Sequence, residues 1–255
     1  MIELIHLSKN FGDLVAVNDV TLTVRRGEFF AILGPNGAGK TTTIKLLTGL
    51  IKPSAGAASV AGFDVQQQPL AVRQRLAYVP DFPFLYDKLT PWEFFRFTGQ
   101  IFRMPEERIQ SEGTALIHRF NLQPYVNKPI EGLSHGTRQR VVLLSALLHD
   151  PEVFVIDEPM VGLDPQHARV LKDILKERSR AGMTVFVSTH QLSVAEELAD
   201  RIGIMHEGRL IAVGTREELR QQSGAEGPLE RTFLALTAQE ADPAEENAPV
   251  TELRP

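Results

Sequence analysis

Residues 34–41 read Gly34-Pro35-Asn36-Gly37-Ala38-Gly39-Lys40-Thr41 and satisfy the G-x-x-x-x-G-K-[ST] pattern without a mismatch. The flanking sequence gives this loop a setting. The apolar run Glu28-Phe29-Phe30-Ala31-Ile32-Leu33 reads as a strand entering it, and Thr42-Thr43-Ile44-Lys45-Leu46-Leu47 as a helix leaving it. Glycines let successive backbone N–H groups curl around phosphate oxygens with no Cβ in the way. Lys40 places a point charge at the β- and γ-phosphates, and the Thr41 hydroxyl is suited to Mg²⁺. The helix that follows aims the positive end of its dipole at the same anion. Strand, loop and helix in this order imply a nucleoside triphosphate site built from residues 34–42.

The rest of the composition sets bounds. A chain of 255 residues with 43% hydrophobic and 23% charged residues can bury a sizeable core as one large domain or two modest ones. The formal net charge of −5 argues against a nucleic-acid-binding surface, although a local basic patch would not show in that sum. With no cysteine, disulfides and thiolate metal sites are excluded, and a reducing compartment fits. The sequence has no apolar run of 18 residues and no basic stretch leading into an apolar segment at its start. It is therefore expected neither to span a membrane nor to carry a secretory signal, so that any action on a membrane goes through a partner.

Around the loop the sequence alternates. Ile2–Leu7, Val15–Val24 and Phe29–Leu33 are β-branched or aromatic stretches, and short strands are expected near Ala58–Ala61 and Leu76–Val79. Between Pro83 and Leu148 strand signals give way to helical spacing at Pro91–Phe102, Glu106–Phe120 and Thr137–Leu148, which suggests an inserted helical subdomain. Alternation returns with a strand at Val153–Ile156, a helix at Pro165–Arg180, a strand at Thr184–Ser188 and a helix at Ser193–Ala199. A hairpin over Arg201–Val213 is expected to turn at Glu207-Gly208. Strands alternating with helices predict an α/β core with a mainly parallel sheet. Residues 238–255 are acidic and proline-bearing and read as a disordered tail behind a single unit at 1–237.

Glu152-Val153-Phe154-Val155-Ile156-Asp157-Glu158-Pro159 is an apolar strand that ends in two acids. A carboxylate at the end of a buried strand is costly unless a cation or a donor meets it. Beside a phosphate loop, Asp157 is placed to hold Mg²⁺, and Glu158 to orient or deprotonate an attacking water.

With these residues in view the chain resembles the ATPase subunits of ABC transporters over about residues 2–237. Phe11 stands at the aromatic position that stacks on adenine, although a turn or core aromatic is the competing reading. Tyr78-Val79-Pro80-Asp81 corresponds to the glutamine loop, and Leu133-Ser134-His135-Gly136-Thr137 to the signature sequence. Asp157 and Glu158 match the metal aspartate and catalytic glutamate, Gly162-Leu163-Asp164 the loop linking the two sites of a dimer, and His190 the switch histidine. The resemblance implies a phosphate-loop ATPase core with a mainly parallel sheet, an N-terminal antiparallel β region and the helical insertion. It implies ATP and Mg²⁺ as cofactors, with Thr41, Asp157 and Asp81 on the metal and Lys40, Glu158 and His190 in catalysis.

Ser134 and Gly136 open a helix, which a plain N-cap would also explain. In the family they face the γ-phosphate on a second subunit's loop, so two chains should close head to tail around two ATP molecules. The resemblance further implies integral-membrane permease subunits as partners, a place on the cytoplasmic face of the membrane, and no nucleic acid. The ending Leu229–Thr237 is similar to that of small-molecule exporters. One cassette without sustained heptads or a basic arm speaks against the alternative, a mechanical ATPase of ribosomes or chromosomes.

Three positions depart from the family pattern: Asp81 replaces glutamine, His135 a glycine and Thr137 a glutamine. Asp81 is shorter and charged, and is expected to keep the metal-side role. Phe82, Phe84, Leu85 and Trp92 are expected either to line a groove for a permease helix or to belong to the core.

Overall fold

The computed structural model describes residues 1–82, 84–224 and 227–241. The chain begins with β1 (Ile2–Phe11), β2 (Leu14–Val24), β3 (Phe29–Leu33) and α1 (Lys40–Leu47). β4 (Ala55–Val60), β5 (Phe63–Asp64), α2 (Pro69–Arg73) and β6 (Leu76–Val79) follow. Next come three helices, α3 (Pro91–Ile101), α4 (Glu106–Arg119) and α5 (His135–Leu147). β7 (Val153–Asp157), α6 (Pro165–Arg180), β8 (Thr184–Thr189) and α7 (Leu192–Leu198) restore the alternation. β9 (Arg201–His206), β10 (Arg209–Gly214), α8 (Arg216–Ser223) and α9 (Leu229–Ala241) close the described chain.

An antiparallel sheet has the order β2-β1-β4-β5. A second sheet has the order β10-β9-β3-β8-β7-β6, parallel from β9 to β6 with β10 antiparallel at its edge. All five residues of β3 are buried, as a strand covered on both faces requires. Side chains alternate between two cores. Val153 and Val155 of β7 and Phe186 of β8 face α1 and the antiparallel sheet, together with Phe30 and Ile32 of β3. Phe154, Ile156, Val185 and Val187 face the opposite core, where α3, α4, α5 and α6 pack. Each phenylalanine buried in these layers contributes about 1.5–3 kcal/mol. The period of two then decides the site: one step past Val155 on the same face stands Asp157, paired in register with Ser188.

Local chemistry fixes the helix ends. Thr90 and Glu93 form a reciprocal capping box with Pro91 in the first turn of α3, and Thr215 and Glu218 do the same for α8. Ser134 caps α5, which starts at His135 and not at the expected Thr137. β1 runs on past Leu7 to Phe11, carried through irregular pairing near His6, whose φ is +48°. The short β5 and α2 and the capped α8 had no counterpart in the sequence reading. The hairpin turns at Glu207 and Gly208, both at positive φ as a tight two-residue turn requires. Leu229 and Leu236 of α9 are buried against β9 and β10, and the helix continues through residues 238–241. From 242 onward the expected tail lies outside the described residues.

Candidate nucleotide site

The loop between β3 and α1 is shaped by close backbone approach. Gly39, the N-cap of α1, has φ +101°. A Cβ there would come within 2.4 Å of the Ala16 carbonyl oxygen and 2.7 Å of Met205 Cε, so angle and space both require glycine. Lys40 is 7% exposed and donates from Nζ to the carbonyl oxygens of Gly34 at 2.7 Å and Pro35 at 3.0 Å. Burial pulls its pKa below the ordinary lysine value, while the carboxylates of Glu158 and Asp157 pull it back up. An anion arriving at the loop would compete with those carbonyls for the ammonium.

Both strand-end acids meet partners. Asp157 is 2% exposed and accepts from Thr41 Oγ1 at 2.8 Å and from the Ser188 hydroxyl. Glu158 follows at φ +51°, with its N–H bonded to the Ser188 carbonyl at 3.0 Å. Its Oε1 accepts from the His190 N–H at 3.1 Å and lies 2.7 Å from His190 Nδ1. Thr189 Oγ1 donates to Oε2 at 3.3 Å. Glu158 and His190 are thus brought together by the ends of two neighbouring parallel strands.

A cavity of about 580 Å³ lies over the loop. Asn36 to Thr42, Asp81, Asp157, Glu158 and Phe11 line it, with Glu207 and Gly208 from the hairpin turn. Phe11 is half exposed, and Lys9 Nζ stands 5.0 Å from its ring centroid. It is therefore a wall of the cavity and not a core residue. Tyr78 of β6 packs on the same face of the sheet as Val155 and Asp157; burial first, then Asp157 and Asp81, push its phenol up to about 12. Among the described residues no three His, Asp or Glu side chains converge as a metal cage. The oxygen pair of Thr41 and Asp157 fits an ion that takes one or two protein ligands and completes its shell with phosphate and water.

Ser134, Gly136 and Asp164 stand apart from this cavity. Ser134 accepts from the Thr137 N–H at 3.4 Å, and Asp164 caps α6 through the His167 N–H at 3.0 Å. A Cβ on Gly136 would meet the Gly162 carbonyl oxygen at 2.7 Å, so the first turn of α5 touches the loop before α6. Ser188 as the partner of Asp157 escaped the sequence reading, although its place one residue after the β8 core pattern was a usable signal. Arg140, His167 and Glu207 gave none. The aromatic group splits: Phe82 and Phe84 are 79% and 91% exposed, while Leu85 and Trp92 pack partly buried on the helical core.

Strand, phosphate loop and helix, with two acids at the end of a parallel strand, define a phosphate-loop nucleotide hydrolase. Comparison with known proteins narrows this class. The ABC transporter family model matches residues 17–161. The chain is 34% identical over 231 residues to the ABC transporter ATP-binding protein NatA of Bacillus subtilis (strain 168), covering 89% of this chain and 94% of that protein. It is 32% identical over 236 residues to the linearmycin resistance ATP-binding protein LnrL of the same organism, covering 92% and 76%. A solved dimeric, post-hydrolysis structure of the ATP-binding cassette MJ0796 with ADP and Pi is similar, with a TM-score of 0.77 at 25% identity. That match covers 84% of this chain and 98% of the other. The chain belongs to the ABC transporter family and is an ATP-binding, ATP-hydrolysing subunit.

Proposed function

We propose that this chain is one half of an ATP-closed dimer that powers export of a small molecule through separate membrane subunits. The observation that carries this reading is the split between two half-sites. Residues 36–42, Asp157 and Glu158 converge on one cavity, while Ser134, Gly136 and Asp164 lie elsewhere on the same chain. In this reading a head-to-tail partner supplies the missing half to each cavity; the dimeric state of the ADP- and Pi-bound relative supports pairing of two chains.

In this reading Lys40 and the loop N–H groups hold the β- and γ-phosphates of ATP, and Phe11 stacks on the adenine. Thr41, Asp157 and Asp81, which line the same cavity, would hold Mg²⁺, and the ion would neutralise charge on the phosphates. Glu158 takes the proton of the attacking water, and His190 steers both groups once it has let go of Glu158. Ser134 and Gly136 bring a hydroxyl, an N–H and a helix N-terminus to the partner's γ-phosphate, with Asp164 at the junction.

Residues 1–237 form the cassette, and 83–148 its helical subdomain. Phe82 and Phe84 rim a second cavity of about 580 Å³ lined also by Phe94, Phe102, Val142 and His149, which suits a helix of a membrane subunit. Among the described residues no helix is long and apolar enough to cross a membrane. In this reading the chain sits on the cytoplasmic face, held there by that partner. Export is supported by the resistance function in LnrL's name and by the exporter-like ending.

The enzymatic part is tested by MgATP turnover of the purified chain, lost in Glu158→Gln while MgATP binding persists. Direction is tested with membrane vesicles carrying the whole transporter. ATP should load inside-out vesicles with the transported compound; ATP trapped inside right-side-out vesicles driving uptake would reverse the assignment.

A further inference from the structure

A run of hydrogen bonds joins the Gly162–Asp164 loop to Ser134 through the side chains of His167, Arg140 and Thr137. Asp164 Oδ2 lies 2.6 Å from His167 Nδ1, and His167 Nε2 lies 2.9 Å from Arg140 Nη1. Arg140 Nη2 donates to Thr137 Oγ1 at 3.0 Å, and Thr137 Oγ1 lies 2.9 Å from Ser134 Oγ. A guanidinium only donates. His167 Nε2 is therefore the acceptor, and Nδ1 carries the proton given to Asp164. Arg140 fills one lone pair of Thr137 Oγ1, and Ser134 Oγ is the one acceptor within reach of the Thr137 hydroxyl among the described residues, so we assign Thr137 as the donor to Ser134 Oγ. Ser134 Oγ also accepts the Thr137 N–H, so its hydroxyl proton is left to point away from α5.

The middle of this run is held firmly. Arg140 is 8% exposed and also donates to the Phe120 carbonyl at 2.8 Å and the Gly136 carbonyl at 3.4 Å. The His167 side chain is 12% exposed. Thr137, a departure from the family glutamine, supplies the hydroxyl that closes the gap between Arg140 and Ser134.

We propose that His167 is a positioning residue that ties the Gly162–Asp164 loop to Ser134 and keeps the Ser134 hydroxyl presented as a donor. This rests on the shared-site reading above, in which that hydroxyl meets the partner's γ-phosphate. Each link polarises the next, so displacing Asp164 at the dimer junction would be felt at Ser134 through groups that already fit.

The test compares His167→Leu with His167→Gln, both in the Glu158→Gln chain, by ATP-driven association in sedimentation velocity. Leucine keeps volume and removes both ring nitrogens. Glutamine retains an acceptor toward Arg140 and a donor toward Asp164. His167→Leu should weaken ATP-driven dimerisation about tenfold, on the scale of a lost charge-assisted hydrogen bond, and His167→Gln should restore it to within about twofold. ATP binding by the dilute monomer should be unchanged in both. Association of His167→Leu equal to the parent overturns the proposal. So does glutamine behaving as leucine does, or monomer ATP binding falling in step with association. A Glu158→Gln parent that binds ATP and stays monomeric removes the shared site itself, and the proposal with it.

Discussion

Ser188→Ala probes the metal-side acid without touching a proposed nucleotide ligand. Asp157 is a buried carboxylate with two side-chain donors, Thr41 on one oxygen and Ser188 on the other. Ser188 is itself fully buried, so no water replaces its hydroxyl without a space being opened. Alanine keeps the strand and removes only the donor. A hydrogen bond to a charged group is worth about 1.5–3 kcal/mol, so the nucleotide-free chain should lose about 2 kcal/mol of stability. For a chain of this size that corresponds to a fall in Tm of about 4–8 °C. Mg²⁺ bound with ATP would take over the carboxylate's charge, so saturating MgATP should stabilise the variant more than wild type and narrow the gap by about half. Urea unfolding and thermal melts, each with and without MgATP, measure both effects. A nucleotide-free variant within about 0.5 kcal/mol of wild type refutes the buried-acid reasoning. A gap that MgATP leaves unchanged refutes the placement of the metal at Asp157.

Three further predictions test other parts of the molecule. His149, stacked on Phe102 at 3.6 Å with no hydrogen-bond partner for its ring nitrogens among the described residues, has its pKa lowered by burial from 6.5 to about 4. The folded state holds it neutral while the unfolded chain protonates it, so about 3 kcal/mol of stability is lost as pH falls from 6.5 to about 4. His149→Phe should flatten the unfolding free energy across that window, and an unchanged acid slope would contradict the burial argument. Phe11→Ala should weaken ATP binding by about tenfold or more through lost stacking and leave tripolyphosphate binding intact; equal ATP affinity would make Phe11 a turn aromatic only. Asp81→Asn and Asp81→Ala should both raise the Mg²⁺ concentration needed for half-maximal ATP turnover, and identical Mg²⁺ titrations would end its metal-side role.

What the sequence made legible was what depends on near neighbours. The loop at 34–41 needs only its own glycines and the strand and helix beside it. Asp157 follows from strand alternation, because the period that buries Val153 and Val155 carries the acid onto the same face. Helix starts at Thr90 and Thr215 were equally written in local capping pairs, though α8 went unread. Contacts set by distant packing stayed hidden. Phe82 and Leu85 look alike in sequence, yet one is exposed and the other packs on the helical core. Arg140 and His167 lie on different helices and meet only because α5 and α6 cover the same face of the sheet. Thr137 read as a departure until Arg140 and Ser134 stood on either side of it.

The shared site is tested most directly by sedimentation of Glu158→Gln with and without ATP, alone and combined with Ser134→Ala. The account predicts a monomer that becomes a dimer with one ATP bound per chain. It predicts that adding Ser134→Ala leaves ATP bound and the chain monomeric. A Glu158→Gln chain that binds ATP and remains a monomer would contradict it, as would association that Ser134→Ala does not weaken.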